Sequence, residues 1–258
     1  MLRFCCLGSG SEGNALVVEV IDGLWPTRIL VDDGFNLRQL RDRLGRFGLT
    51  IDDIDAIIVT HEHGDHAGGV AALARRCRLP VYATPGTARA CRLVERRCDW
   101  RRLENGCMAS VGGVAVMPYA VPHDAVEPVQ FVFSDGARKL GLLTDIGSVT
   151  DDVIGALDGV HAFILECNHD LDMLRTGPYP FFLKTRISGD YGHLSNAQAA
   201  ALLARIDRGA LQLVIAAHLS RSNNRPALAR AALARVLNCN ADEVAVADQD
   251  EGLAWRAV

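Results

Sequence analysis

Residues 61–66 read His61-Glu62-His63-Gly64-Asp65-His66, directly after the apolar run at 54–59. Four of the six, His61, His63, Asp65 and His66, carry side chains that bind metal. Neutral imidazoles with a carboxylate suit a borderline cation such as zinc, and they also bind manganese or iron. In a continuing strand His61 and His63 would share one face. The strand at 55–59 runs out at Thr60, so the six are expected to form a turn leading into a helix near Gly69. A turn lets side chains converge that a regular element would spread apart. Three histidines can meet in a surface loop by accident, but this alternation just behind a buried strand rarely arises that way.

The pattern of a buried strand feeding a ligand-type residue recurs downstream. The strand at 114–121 leads into Pro122-His123-Asp124, and that at 139–143 into Thr144-Asp145. Residues 161–166 end in Glu166-Cys167-Asn168-His169-Asp170, and 211–217 are followed by His218. A lone histidine is most often structural, whereas five coincident placements at strand ends mark a site, because irregular loops held by strand ends are where chemistry usually sits. Upstream, strands at 3–7 and 15–20 flank Gly8-Ser9-Gly10-Ser11-Glu12-Gly13-Asn14. That loop is either a plain hairpin turn, which the residues alone favour, or a ring of amides facing an anion. A strand at 28–31 meets Asp32-Asp33-Gly34, two acids that suit a turn more readily than a function. An amphipathic helix follows at 37–47, with Leu37, Leu40 and Leu44 on one face. Helices are expected at 70–77, from 85 or 87 to 97, and at 196–206, with a strand at 81–83. A hairpin at 130–134 and 139–143 turns on Asp135-Gly136. Arg89, Arg92, Arg96, Arg97, Arg101 and Arg102 form the most basic stretch. Such a run is usually a solvated helix face, and a phosphate-backbone contact is the sharper alternative.

With 258 residues the chain can bury a full core, and no linker or low-complexity segment divides it, so one domain over 1–258 is expected. Aromatics make up 6% and the net charge is −4, so global charge does not announce a nucleic-acid binder. The eight cysteines include no Cys-x-x-Cys pair and several lie in apolar runs, which reads as reduced core thiols. Neither a secretory h-region nor an apolar run of membrane-spanning length is visible, so a cytoplasmic enzyme without membrane contact is expected.

The stretch THEHGDHAGG (60–69) resembles the signature of the metallo-β-lactamase superfamily. The resemblance implies an α/β (α+β) chain folded as a four-layer αβ/βα sandwich, with metals at the edge of two packed sheets. It also implies two divalent cations, Zn²⁺ or Mn²⁺. His61, His63 and His123 would hold one, Asp65, His66 and His218 the other, with Asp145 bridging and Asp65 also orienting a hydroxide. The di-iron oxygen reductases of this fold resemble His-x-Glu-x-Asp-His, with a carboxylate where this chain has His63. Nitrogen-rich ligation favours a hydrolytic site over redox iron. Residues 192–200, GHLSNAQAA, resemble the Gly-His-Ser-Thr-x-x-x-Ala motif of tRNase Z-like phosphodiesterases, whose histidine contacts the scissile phosphate and is steadied by a glutamate. That implies catalytic roles for His193 and Glu166, with Ser195 and Asn196 beside the substrate in place of Ser-Thr. Ser195 also suits the N-cap of the helix behind it.

Taken together, LGSGSEGN, THEHGDHAGG, VPHD, LLTDIG, LECNHD, GPYPFFLKTRISGDYGHLSN and AAHLSRSNN resemble the YycJ/WalJ group of bacterial metallo-β-lactamase-fold proteins over nearly the full length. The group's assigned activity resembles a 5′→3′ DNA exonuclease. In that setting Ser11 and Asn14 would contact phosphate, which reverses the preference for a bare turn. Lys184 and Arg186 beside Tyr179, Phe181 and Phe182 suit a nucleic-acid strand end, and a packed lid explains the same aromatics. The expectation is a dinuclear phosphodiesterase acting on nucleic acid, DNA before RNA. Hydrolysis of a thioester or lactam is the alternative, and a binding module braced by metal is the third.

Overall fold

The structure, a computed structural model, describes residues 1–23 and 25–258. Six strands come first: β1 (Leu2–Gly8), β2 (Ala15–Ile21), β3 (Pro26–Val31), β4 (Ala56–Ile58), β5 (Pro80–Ala83) and β6 (Asp99–Arg102). Then follow β7 (Ala109–Val111), β8 (Val114–Ala120), β9 (Val129–Ser134), β10 (Lys139–Leu143), β11 (Ala162–Glu166), β12 (Leu213–Ala217) and β13 (Ala245–Val246), and β14 (Leu253–Ala257) closes the chain. One sheet has the order β14-β1-β2-β3-β4-β5-β6, the other β13-β12-β11-β10-β9-β8-β7. From β3 to β6 neighbours are parallel, and so are those from β10 to β13.

The central strands are buried on both faces, which is why they read as near-continuous apolar runs rather than alternating ones. In β2, Leu16, Val18 and Val20 face the other sheet while Ala15 and Val17 face helices. In β11, Ala162 and Ile164 face the inter-sheet core and Phe163 and Leu165 the opposite layer. Helices α1 (Leu37–Arg46), α3 (Val70–Cys77) and α4 (Pro85–Ala90) cover the first sheet, with the one-turn α2 (Gly64–Ala67) between α1 and α3 in the chain. The second is covered by α5 (Asp151–Leu157), α8 (Asn196–Arg205) and α9 (Pro226–Leu237), with α6 (Leu171–Thr176) and α7 (Phe181–Ile187) between α5 and α8 in the chain. The layers run helix, sheet, sheet, helix, as the four-layer sandwich requires. Among the described residues no helix is long and apolar enough to cross a membrane.

The helix expected at 85–97 is cut short. It stops at Ala90, because Arg92 and Arg97 take left-handed φ values of 54° and 58° and close successive turns. Residues 99–102, not foreseen as a strand, then pair parallel with β5. The six arginines of this stretch are exposed.

Phe131 and Phe133 of β9 are fully buried between the sheets with ring centroids 5.8 Å apart. Replacing Phe131 by alanine is expected to destabilise the protein by about 3–5 kcal/mol. Urea unfolding should show it as a lower midpoint at nearly constant slope. An unchanged midpoint would contradict this inter-sheet packing.

Candidate metal centre

The site is assembled from strand ends. Asp32 follows β3, Thr60 and His61 lie just beyond β4, His123 beyond β8 and Asp145 beyond β10; Glu166 ends β11 and His218 follows β12. Strands β8 and β10 both run antiparallel to β9, so their C-terminal ends lie on the same side as those of β11 and β12. Three of these exits turn through left-handed backbone: Asp32 at φ 59°, Asp145 at 54° and His218 at 55°. Non-glycine residues seldom sit there, and surrounding bonds must hold them. Asp32 accepts from the Thr60 N–H at 2.8 Å and hydroxyl at 2.8 Å. The Asp145 N–H donates to Glu166 Oε1 at 3.1 Å, and the His218 N–H to Ser9 Oγ at 2.8 Å.

In the hexapeptide, His61 to His63 are irregular, and the single-turn helix α2 begins at Gly64, ahead of the helix expected near Gly69, which is α3. The tighter turn presses Asp65 and His66 against the loop at 8–14. There the Asn14 N–H donates to the Asp65 carbonyl at 2.7 Å. Gly34 lies so close that a Cβ would sit 1.9 Å from that carbonyl, so only glycine fits.

Five imidazoles close into a ring, with a sixth against its edge. Centroid distances run 4.3 Å from His61 to His66, 5.7 Å on to His218, 5.4 Å to His193, 5.4 Å to His123 and 5.0 Å back to His61. His63 stacks edge-on against His61 and His123 at 4.6 and 5.1 Å. Asp145 lies within the ring, its Oδ2 3.1 Å from His66 Nε2 and its Oδ1 3.6 Å from His218 Nε2. Asp65 Oδ2 stands 3.5 Å from His66 Nε2 and 3.9 Å from His218 Nε2.

For each of the five ligand-type histidines, one ring nitrogen is engaged from outside. Nδ1 of His66 donates to Asp32 at 2.8 Å, that of His218 to Glu166 at 3.1 Å and that of His123 to the Gly192 carbonyl at 3.2 Å. His61 Nδ1 meets the Thr60 hydroxyl at 3.0 Å, and His63 Nε2 donates to the Asp124 carbonyl at 3.2 Å. The other nitrogens therefore face inward as lone pairs, which is how outer acceptors prepare imidazoles for a metal. Among the described residues His61 Nε2 and His218 Nε2 are buried with no hydrogen-bond partner. The inward atoms of His61, His63 and His123 lie close enough to hold one cation, and those of Asp65, His66 and His218 another.

The electrostatics agree. Burial alone would raise Asp145, yet the fields of His218 and His66 hold it well below the carboxylate range. Burial works against charge on His66 too, but Asp145 and Asp32 drive it well above the imidazole range. The same balance takes His218 to about 10. Burial and the neighbouring His66 push His61 well below its ordinary value. The donor set thus keeps its carboxylates ionised and draws positive charge, the demand that divalent cations meet.

Glu166 is fully buried and accepts five hydrogen bonds: from His193 Nδ1 at 2.9 Å, His218 Nδ1 at 3.1 Å, and the N–H groups of Asp145, Ile146 and Leu194 at 3.1, 3.3 and 2.9 Å. Burial opposes its ionisation, but His193 and His218 bring it down to about 2. His193 is raised: burial lowers it, and Glu166 more than compensates. His193, Ser11, Asp65, Asp124 and Arg186 line a cleft of about 620 Å³ over the ring.

Residues 27–218 match the family described as a beta-lactamase superfamily domain. The exodeoxyribonuclease YycJ of Bacillus anthracis is 38% identical over 239 residues, 92% of this chain and 89% of that protein. The exodeoxyribonuclease WalJ of Streptococcus pneumoniae serotype 2 (strain D39 / NCTC 7466) is 32% identical over 244 residues, 88% of this chain and 85% of that protein. The chain belongs to the metallo-β-lactamase superfamily, in its YycJ/WalJ-like group. The metallo-β-lactamase-fold protein YhfI of Bacillus subtilis superposes with a TM-score of 0.76 at 16% identity, covering 99% of this chain and 98% of that one, a likeness of fold.

Within this metallo-β-lactamase frame, His61, His63, Asp65, His66, His123, Asp145 and His218 come together, with Glu166 and His193 beside them. Ser195 and Asn196, expected at the substrate, are taken up elsewhere. Ser195 caps α8, its hydroxyl donating to Gln198 Oε1 at 2.7 Å, and the buried Asn196 amide exchanges hydrogen bonds with Asn224 at 2.9 and 2.8 Å. Asn14 is turned inward too, its amide 3.0 Å from both the Gly10 carbonyl and His66 Nε2. Asp32, read from the sequence as a turn former, is the residue that reasoning undervalued. Its position at the end of an apolar strand, like Asp145, was the available signal. Asp32→Asn should turn a donor toward His66 Nδ1 and weaken metal retention about 10–100-fold. Competition with a chromophoric chelator measures this, and retention at wild-type affinity would remove the assigned role.

Proposed function

We propose that the protein is a dinuclear metal-dependent phosphodiesterase acting on nucleic acid, on DNA in preference to RNA and from a 5′ end. The preference for DNA is supported by the names of the relatives. The observation that carries the reading is the buried Glu166 carboxylate 2.9 Å from His193 Nδ1, beside Asp145 and in the cleft wall. A thioester expels a thiolate that needs no proton, whereas a phosphodiester needs a donor at its departing oxygen.

In this reading His61, His63 and His123 would hold one cation and Asp65, His66 and His218 the second, with the Asp145 carboxylate available as a further ligand. Bound there, Zn²⁺ or Mn²⁺ supplies Lewis acidity that brings the pKa of water toward about 7 and neutralises phosphate charge. The chain's own groups do the rest. Asp65, at the cleft wall, orients the attacking oxygen. With Nδ1 engaged by Glu166, His193 presents Nε2 to the substrate. As the P–O bond breaks, Nε2 donates its proton to the leaving oxygen. Ser11 and Arg186 bracket the cleft and contact the phosphate, Arg186 being set by its 2.7 Å ion pair with Asp124. The site draws on both sheets, so residues 1–258 act as one catalytic domain. Eight unpaired thiols suit a reducing, cytoplasmic setting.

End-labelled single- and double-stranded DNA and RNA, each with Mn²⁺ or Zn²⁺, test the reading. DNA should be shortened from its 5′ end; chelation should abolish cutting and added metal restore it. His193→Ala should lower cleavage of DNA about 10²–10⁴-fold with metal content unchanged. Equal cleavage by the variant would exclude His193 as the donor, and intact DNA under every metal would exclude the nuclease.

A further inference from the structure

Helix α7 carries two different faces. Leu183, Arg186 and Ile187 face the catalytic cleft. Phe181, Lys184 and Ser188, spaced three and four apart, face a separate groove of about 1030 Å³ shared with Leu171 and Leu174 of α6. Phe181 is 84% exposed and Phe182 73% exposed, an unusual pair to leave in water at the rim of a site. Residues 177–188 hold Lys184 and Arg186 and no acidic side chain. The Lys184 ammonium donates to the Arg175 carbonyl at 2.8 Å on the groove wall, which leaves two of its three donors free of that bond. Phe182 lies about one helical turn from Arg186 at the cleft, and Phe181 about one and a half.

We infer that α7 is a stacking rail for single-stranded nucleic acid, with Phe181 and Phe182 receiving the bases next to the phosphodiester being cut and Lys184 following the backbone. This rests on the nuclease reading and names what selects the substrate: unpaired bases rather than phosphate alone. Aromatic faces accept any base, and adjacent cations hold the phosphates, which is the composition a strand without sequence preference requires. A second copy of the chain suits this surface less well, because a two-fold contact across α7 would set Lys184 and Arg186 against their own counterparts. Both rings are largely exposed, so they are removable without opening a buried cavity.

The test uses the metal-loaded full chain on two single-stranded oligodeoxynucleotides, one with all its bases and one abasic over its terminal residues. For the wild type, kcat/KM on the base-bearing strand should exceed that on the abasic strand about tenfold or more. In Phe181→Ala/Phe182→Ala that ratio should collapse toward one, with the abasic strand cut at the wild-type rate. Leucine at both positions should lose the preference as alanine does, and tyrosine at both should keep it. An unchanged ratio in the alanine variant, or full preference with leucine, overturns the rail. If the ratio holds while sedimentation shows the wild type dimeric and the alanine variant monomeric, the surface belongs to a second copy. Failure of the wild type on both strands overturns the rail, and it overturns the nuclease reading as well only if double-stranded DNA is also left intact.

Discussion

One buried carboxylate sets the geometry on which the site depends. Glu166 sits in the protein interior, where an unpaired charge would be prohibitive, and is tolerated because five donors converge on it. Those donors come from three separate places: the turn after β10, the loop carrying His193 and Leu194, and the exit of β12. None can shift without leaving part of a buried charge unsatisfied. The orientations of His193 and His218 and the turn at Asp145 are therefore coupled rather than independently set.

The first sheet uses the same device. Asp32 is nearly fully buried and accepts from Thr60 twice and from His66 once; the Thr60 hydroxyl, having donated to Asp32, accepts from His61 Nδ1. Each sheet thus places a carboxylate beneath the imidazole ring, and each carboxylate secures histidines whose free nitrogens point at the gap between sheets. The three left-handed exits at Asp32, Asp145 and His218 belong to this arrangement. Their strain is held by the hydrogen bonds that also orient the donors, so folding and preparation of the site are one event.

Elements with local causes were legible in advance. Helix α1 followed from its leucine spacing, and its Asn36–Gln39 capping box marks the start. Strand β10 and helix α3 fell at the expected bounds because runs of apolar residues and flanking turn formers determined them. Where a residue type served two roles equally well, the sequence left the choice open. Ser195 before Gln198 is a capping box by composition, yet the flanking Gly-His motif also suited a phosphate contact; the bonds to Gln198 decided for the cap. Helix α4 ended early because Arg92 and Arg97 adopt left-handed backbone, which their side chains did not announce.

The sequence by itself determined which residue types stand behind which buried strands: the His-x-His-x-Asp-His run, the strand-end His123, Asp145 and His218, and the Glu166 and His193 motifs. These depend on period and on local spacing, properties a linear chain carries. Only the tertiary structure decided which acid serves which histidine, that Asp32 holds His66 rather than merely forming a turn, that Asn14 and Asn196 turn inward, and that α7 shows one face to the cleft and two bare aromatics to solvent. Hydrogen-bond pairing across 20–50 residues depends on where the strand ends meet in space, and that meeting is settled by the packing of two sheets, which no local pattern records.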